Sequence, residues 1–487
     1  MTHADSSLIQ QLTQPNQLAF WYRWHRRIGL LAAIPAILWA LSGLAHPIMT
    51  RLFPSAIAMK PPAEIINQAG QSLAEVMQAA GIQQLAAARL YGRAGLPVYQ
   101  IREPGHTTWR YFNAATSEEI LSGDQEQAIA LARHFTGDTR SPIRNATLIT
   151  QFDVDYLPVN RLLPVWRVSF ERDDNLRAYV ETSPARLSAL MDDRKATFQN
   201  VFRLIHSWTW AEELPVARRI TMSLILFAAA LATLFGVMVY MKQHRRLGYP
   251  ANRRWHRRLG LLAGLSMLAF TSSGILHLWL KQPLPLMPHI EQTIQTSLLT
   301  AKLSSLQAGA TLVILDGRPA WQQKQPQSMA DHGHTHHGAT GKPASLSVSH
   351  YLDATDGSPL EHGETRYIRQ LASALIGQPL PSSPPYQWVT RFEGEYGFIN
   401  KRLPVVHVQF AGDSYYIEPT TSTLAATVHP ANRVEGYAFS WLHKVHWLDV
   451  LGKNGRDGLL GCFALLNAVT IGFGLWMWWQ RRQPRQG

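Results

Sequence analysis

RWHRRIGLLA at residues 23–32 returns with one change as RWHRRLGLLA at residues 254–263, and this duplication decides how the chain is read. Each copy opens an apolar run long enough to cross a bilayer, which needs about 20 residues. Further along the same runs, SGLAH ending at His46 matches SGILH ending at His277. Two more apolar runs bring the candidate spans to four: residues 28–49, 220–241, 259–280 and 459–479. The first is too long for a removable signal peptide and lacks its small-residue cleavage site. Between the spans, NRLLPVWRVSF at 160–170 matches NKRLPVVHVQF at 400–410, and FRLIHSWTW at 202–210 matches FSWLHKVHW at 439–447. The chain therefore reads as two copies of helix, soluble domain, helix. Both copies have the same orientation, related by a pseudo-two-fold axis along the membrane normal.

The net charge of +13 would suit a nucleic-acid partner, but its distribution argues against one. The arginines cluster beside the spans: Arg23, Arg26 and Arg27 before the first, Arg253, Arg254, Arg257 and Arg258 between the second and third, Arg481 and Arg482 after the fourth. The positive-inside rule puts both termini and the middle link in the cytoplasm and the two long loops outside. The resulting division is a cytoplasmic tail at 1–22, spans at 23–50, 219–243, 257–281 and 457–480, a cytoplasmic loop at 244–256 and a tail at 481–487. The outer domains occupy 51–200 and 282–437, each followed by an interfacial helix, at 201–218 and 438–456. The single cysteine, Cys462, excludes a disulfide framework or a Cys-ligated cluster within one chain.

Each outer domain carries short strand–turn–strand motifs, such as YFNAATSEEIL from Tyr111 and HYLDATDGSPL from His350, among helical stretches with apolar residues at three- and four-residue spacing. The predicted fold is an α-helical membrane protein of four transmembrane helices in two pseudo-two-fold repeats, with two extracytoplasmic α+β domains. The insertion at 322–344 is polar and Gly-rich.

Six of the twenty histidines stand at matching places: His25, His46 and His206 in the first copy, His256, His277 and His443 in the second. His25 to His46 and His256 to His277 are the same step of 21 residues. Along a helix that step is ~31 Å, close to the hydrocarbon thickness, and it returns to nearly the same face. Each odd-numbered span thus offers an imidazole near either membrane surface, as bis-histidine ligation of haem requires. Arg23, Arg26, Arg27, Arg254, Arg257 and Arg258 suit the haem propionates, because guanidinium matches carboxylate. Gly29, Gly43, Gly260 and Gly274 leave room for a flat ring. His206 and His443 precede the second and fourth spans. A fold-back along the outer surface would bring them towards His46 and His277, with pairing left open between partners within a copy and across copies. A proton relay is the competing role for these histidines. Six ligands would serve three haems, so two or three haem b groups remain open.

Other features are less directive. Asp153 and Asp155, repeated as Glu393 and Glu395, would either contact a cation or ferric complex or serve as polar loop positions. His332, His334, His336 and His337 in the insertion offer weak metal ligands with no counterpart in the first copy.

WHRRIG and WHRRLG opening a span, LHKVHWLDVLGKNGRDGLLG at 442–461 and WMWWQRR at 476–482 resemble the PepSY-associated transmembrane family, and the strand–turn–strand units resemble PepSY domains. The similarity covers nearly the whole chain apart from the N-terminal tail and the His-rich insertion. It implies a bacterial inner-membrane protein with periplasmic loops and a link to iron uptake. Some members are haem-containing reductases that free iron from ferric siderophores. Relatives with a fused flavin and nicotinamide domain also exist. Here no GxGxxG and no large cytoplasmic segment is present, so a quinol or a separate cytoplasmic flavoprotein is the expected donor. The resemblance thus implies a b-type haem oxidoreductase that reduces a periplasmic ferric siderophore or other metal complex, in contact with membrane lipid. Two alternatives stand beside it: PepSY domains as non-enzymatic regulatory modules, and copper or another metal as substrate.

Overall fold

The computed structural model describes residues 4–58, 60–243, 249–281, 287–324, 349–382 and 384–483, with backbone alone for 4–16, 46, 50 and 324. Chain contacts divide it into two compact units, one of residues 1–53, 194–283 and 430–487, the other of residues 54–193 and 284–429.

The first unit contains four long helices: Ala4–Leu52, Pro215–Gln243, Ala251–Leu280 and Gly452–Gln480. All four are long and apolar enough to cross a membrane. Pro215 sits in the first turn of the second span, where its missing N–H costs no hydrogen bond. The third starts at Ala251, so Arg253 to His256 belong to it and not to a loop; residues 244–248 lie outside the described ones. The polarity of the bundle is reversed relative to a soluble one. Leu31, Ile34, Leu224, Phe227, Leu262 and Leu265 are exposed, whereas Ser266, Thr271, Ser273, Asn467 and Thr470 are buried. Lipid requires the apolar outside, and the inside mixes these polar groups with small apolar residues such as Ala32 and Ala229. The chain is a multi-pass membrane protein. Each even-numbered span packs on both odd-numbered ones, which leaves the first and third facing each other across the middle.

The segments ahead of the second and fourth spans fold back as short helices. Asp193–His206 ends in a 3-10 turn at Thr209–Ala211, and Pro430–Ala438 continues as a π-helical turn, Phe439–His443, and a 3-10 turn, His446–Leu451. Trp208 and Val445 make the reversals in left-handed backbone, with φ of 54° and 49°.

The second unit contains both outer segments, which do not fold apart as two domains. A six-stranded antiparallel sheet runs Ser349–Asp353, Arg318–Lys324, Thr311–Leu315, Ala87–Arg93, Leu96–Arg102, Arg110–Asn113, joined in the middle where Thr311 faces Arg89. Each half alone would leave an unpaired strand edge at this seam, and pairing the two edges removes both. One hydrophobic cluster backs the sheet, with Leu90, Tyr99 and Phe112 from one half and Leu312, Trp321 and Leu352 from the other. A two-stranded sheet, Gln84–Leu85 with Ile294–Gln295, and two four-stranded antiparallel sheets accompany it, one of the latter with helix Gly123–Thr136, the other with helix Gly363–Ile376. Both helices end on glycines in left-handed backbone, Gly137 and Gly377, which close the last turn without a Cβ clash. Glu418, Arg402 and Arg186 form a buried ionic group that ties the second four-stranded sheet to the first; the Arg402–Glu418 contact is 2.5 Å.

Candidate functional site

His25 and His256 approach each other from the first and third spans with ring centres 6.0 Å apart. A metal held between two imidazole nitrogens by bonds of about 2 Å would put the ring centres roughly 6 Å apart. The flanking spans hold the rings in matching ways. His25 Nδ1 donates to the Ala232 carbonyl at 2.8 Å, and His256 Nδ1 to the Thr470 carbonyl at 2.9 Å. A carbonyl only accepts, so Nδ1 carries the proton and Nε2 keeps the lone pair that binds a metal. One turn further on, Gly236 and Gly474 lie against the rings: a Cβ there would come within 3.0 Å of His25 Cε1 and 3.3 Å of His256 Cε1. These glycines make the close approach. Of the four expected from sequence, Gly29 and Gly260 line the space beside the pair, Gly274 faces Leu226, and Gly43 faces open space. Gly236→Leu is therefore expected to push the His25 ring aside and to loosen any group bound there at least tenfold, measured as its loss on gel filtration, while Gly43→Leu leaves binding unchanged.

The pair opens into a cavity of about 240 Å³ between the four spans, walled by small residues such as Ala32, Ala33, Ala263 and Gly264. Its basic lining is Arg26, Arg253, Arg257 and Arg481, and among the described residues no acid lines it. Of the six expected arginines, only Arg26 and Arg257 reach the cavity; Arg23, Arg27, Arg254 and Arg258 do not line it, and Arg27 covers Trp24 instead. Arg253 and Arg481 were not singled out by the duplication, because Tyr22 and Gln243 hold the corresponding places in the first copy. Tyrosines steady these cations. Arg253 lies over Tyr249 at 4.3 Å, and Arg257 over Tyr249 and Tyr240 at 4.9 and 5.0 Å. Asn467, buried at 2 % exposure in the cavity wall, has no hydrogen-bond partner for Oδ1. Two neutral imidazoles, cations without acids and glycines against the rings fit a planar dicarboxylate macrocycle held through its metal.

A second imidazole pair forms at the other end of the first and third spans. His206 and His443 have ring centres 6.4 Å apart with planes at 85°. The pairing runs across the copies. Ser42 Oγ lies 2.9 Å from His206 Nδ1 and Ser273 Oγ 3.1 Å from His443 Nδ1. Phe202 and Phe439 stack on the two imidazoles, each at 4.6 Å. Because Ser42 precedes His46, and Ser273 precedes His277, by one turn, the fold-back imidazoles bind a turn inside His46 and His277. His277 belongs to neither of these two pairs. Its Nδ1 contacts Glu435 at 2.5 Å, and its ring stacks on Phe439 at 4.3 Å. Glu435 is peculiar to the second copy, where the first has Phe198. The side chain of His46 lies outside the described residues.

The acidic pairs are engaged within their own surroundings. Asp153 accepts from the Asp155 and Tyr156 backbone amides, Asp155 pairs with Arg177 at 2.7 Å, Glu393 with Arg391 at 2.6 Å, and Glu395 accepts from Tyr416. Among the described residues, no group of three or more His, Cys, Asp or Glu side chains is placed to hold a metal. His332, His334, His336 and His337 lie outside the described residues.

A family model described as PepSY-associated TM region matches residues 112–481. No curated protein matches the chain.

Proposed function

The chain belongs to the PepSY-associated TM family, and from that premise we propose that it is an inner-membrane b-type haem reductase that passes electrons to a periplasmic ferric siderophore and so releases its iron. The observation that carries the reading is the occurrence of two cross-copy imidazole pairs, His25 with His256 and His206 with His443, at opposite ends of the same two spans. From His25 to Ser42 the first helix rises ~25 Å, so the pairs bracket much of the hydrocarbon layer. The arginines beside the spans support a cytoplasmic side for the His25–His256 pair and a periplasmic side for the second pair and both long loops.

Haem, when bound, supplies a reversible one-electron couple. The protein's own groups prepare for it. The Ala232 and Thr470 carbonyls keep His25 and His256 protonated on Nδ1 and in the orientation that ligation needs. Arg26, Arg253, Arg257 and Arg481 line the cavity and would pair with the two propionates. The alanine and glycine walls leave room for a flat ring. At the substrate end, hard oxygen donors favour ferric over ferrous iron, so reduction weakens the complex and the metal leaves.

Dithionite reduction of the purified full-length protein is expected to give low-spin b-type bands, with about two haems per chain. Anaerobic addition of a ferric siderophore should then reoxidise the bands and deliver ferrous iron to a chelator. Protein without such bands sinks the haem reading; reduced protein that yields no electron to any ferric siderophore sinks the substrate.

A further inference from the structure

The two imidazole pairs are held by different acceptors. In the His25–His256 pair both Nδ1 atoms donate to main-chain carbonyls. In the His206–His443 pair both meet serine hydroxyls, and these serines stand at the same place in SGLAH and SGILH. A hydroxyl can donate or accept, so its own proton decides the tautomer of the imidazole beside it. That proton is already placed: Ser42 Oγ donates to the Trp39 carbonyl at 3.0 Å, and Ser273 Oγ to the Phe270 carbonyl at 3.1 Å. Each serine must therefore accept from Nδ1–H, leaving Nε2 as the nitrogen able to bind iron. Both serines are buried, at 8 % and 1 % exposure, where no water replaces them readily.

We propose that Ser42 and Ser273 are positioning residues that fix the tautomer of His206 and His443 and tune the reduction potential of the outer centre. An acceptor on Nδ1–H makes an imidazole a stronger donor to iron and favours the ferric state. A hydroxyl is a weaker acceptor than a peptide carbonyl, and these contacts are no shorter than the inner ones. The outer centre is therefore the easier of the two to reduce, which biases transfer outward. The proposal rests on the haem reading and concerns only how the outer ligands are held.

The test is a spectroelectrochemical titration of the purified full-length protein with Ser42→Ala, Ser42→Thr, Ser42→Asp and Ser273→Ala. In the unchanged protein two midpoints are expected. Ser42→Ala or Ser273→Ala should raise the higher one by about fivefold to tenfold in the reduction equilibrium, up to about 59 mV for one electron, and leave the lower one in place. Ser42→Thr keeps the hydroxyl and should restore the original value. Ser42→Asp, a charged acceptor, should move the same midpoint down. Bands present with neither midpoint moved, or a threonine variant that behaves as alanine, overturns the role of the serines. A shift confined to the lower midpoint overturns the outward bias. Unchanged protein that shows no b-type bands overturns this proposal together with the haem reading, which separates the two failures.

Discussion

In His25→Ala, about half of the bound haem is expected to disappear, with one b-type midpoint lost and the other retained. The ring of His25 faces His256 at 6.0 Å, and among the described residues the surrounding wall supplies no third imidazole. Alanine leaves His256 without an opposite ligand, while the His206–His443 pair keeps both of its own. Loss of groups that merely orient a ligand typically costs about 10–100-fold in metal affinity, so removal of the ligand should exceed that. Electron delivery from a cytoplasmic-side donor to a periplasmic acceptor should fall at least about a hundredfold. Haem content per chain, read by extraction, and the spectrum at poised potentials check the result. His277→Ala provides the contrast, since His277 contacts Glu435 and Phe439 and belongs to neither pair. It should keep both midpoints. A His25→Ala protein with two intact low-spin centres, or a His277→Ala protein that has lost one, would falsify the pairing.

Glu418→Gln should destabilise the soluble unit by about 3–5 kcal/mol, the usual cost of removing one member of a buried ionic group. Glu418 is 1 % exposed and Arg402 5 %. Burial opposes the carboxylate charge, but Arg186 and Arg402 outweigh it and hold the pKa down at about 2. Glutamine preserves the shape and leaves buried Arg402 and half-buried Arg186 with one carboxylate, Glu181, 3.5 Å from Arg186. The sign of the pH effect follows from a lowered pKa. The stabilisation is complete above the unfolded value near ~4.3 and is lost as the pH falls towards 2. Denaturant titrations at pH 7 and pH 3 measure both effects: the gap between Glu418→Gln and the unchanged protein should be wide at pH 7 and narrower at pH 3. A gap below about 1 kcal/mol at pH 7 would place the network among groups that contribute little.

The duplicated motifs made the membrane unit legible. A period-long repeat fixes which helices correspond, and a histidine at the same place in both copies stands out against apolar neighbours that have changed. His25, His256, His206 and His443 were accessible in this way. Gly236 and Gly474 were not, because glycine is ordinary in a membrane helix and the second and fourth spans diverge too far to align by eye. Ser42 and Ser273 stood inside the quoted motifs yet carried no signal, since a serine in a helix usually bonds back to its own turn. His277 was assigned by analogy with His46. The sequence spacing placed it well along the helix, but could not reveal that a fold-back would seat His443 one turn deeper. The second unit was legible as strand–turn–strand pieces among helical stretches, not as joined sheets. Its central seam, Thr311 against Arg89, joins strands too far apart in sequence for any local pattern to announce.

That seam bears on how the protein is made. The strand Ala87–Arg93 emerges from the ribosome roughly 220 residues ahead of its partner, which at 5–20 residues per second is on the order of 10–40 s. Throughout that interval the N-terminal half offers an open strand edge to any nascent neighbour. Splitting the gene between the two repeats would therefore yield two aggregation-prone fragments and not two working halves.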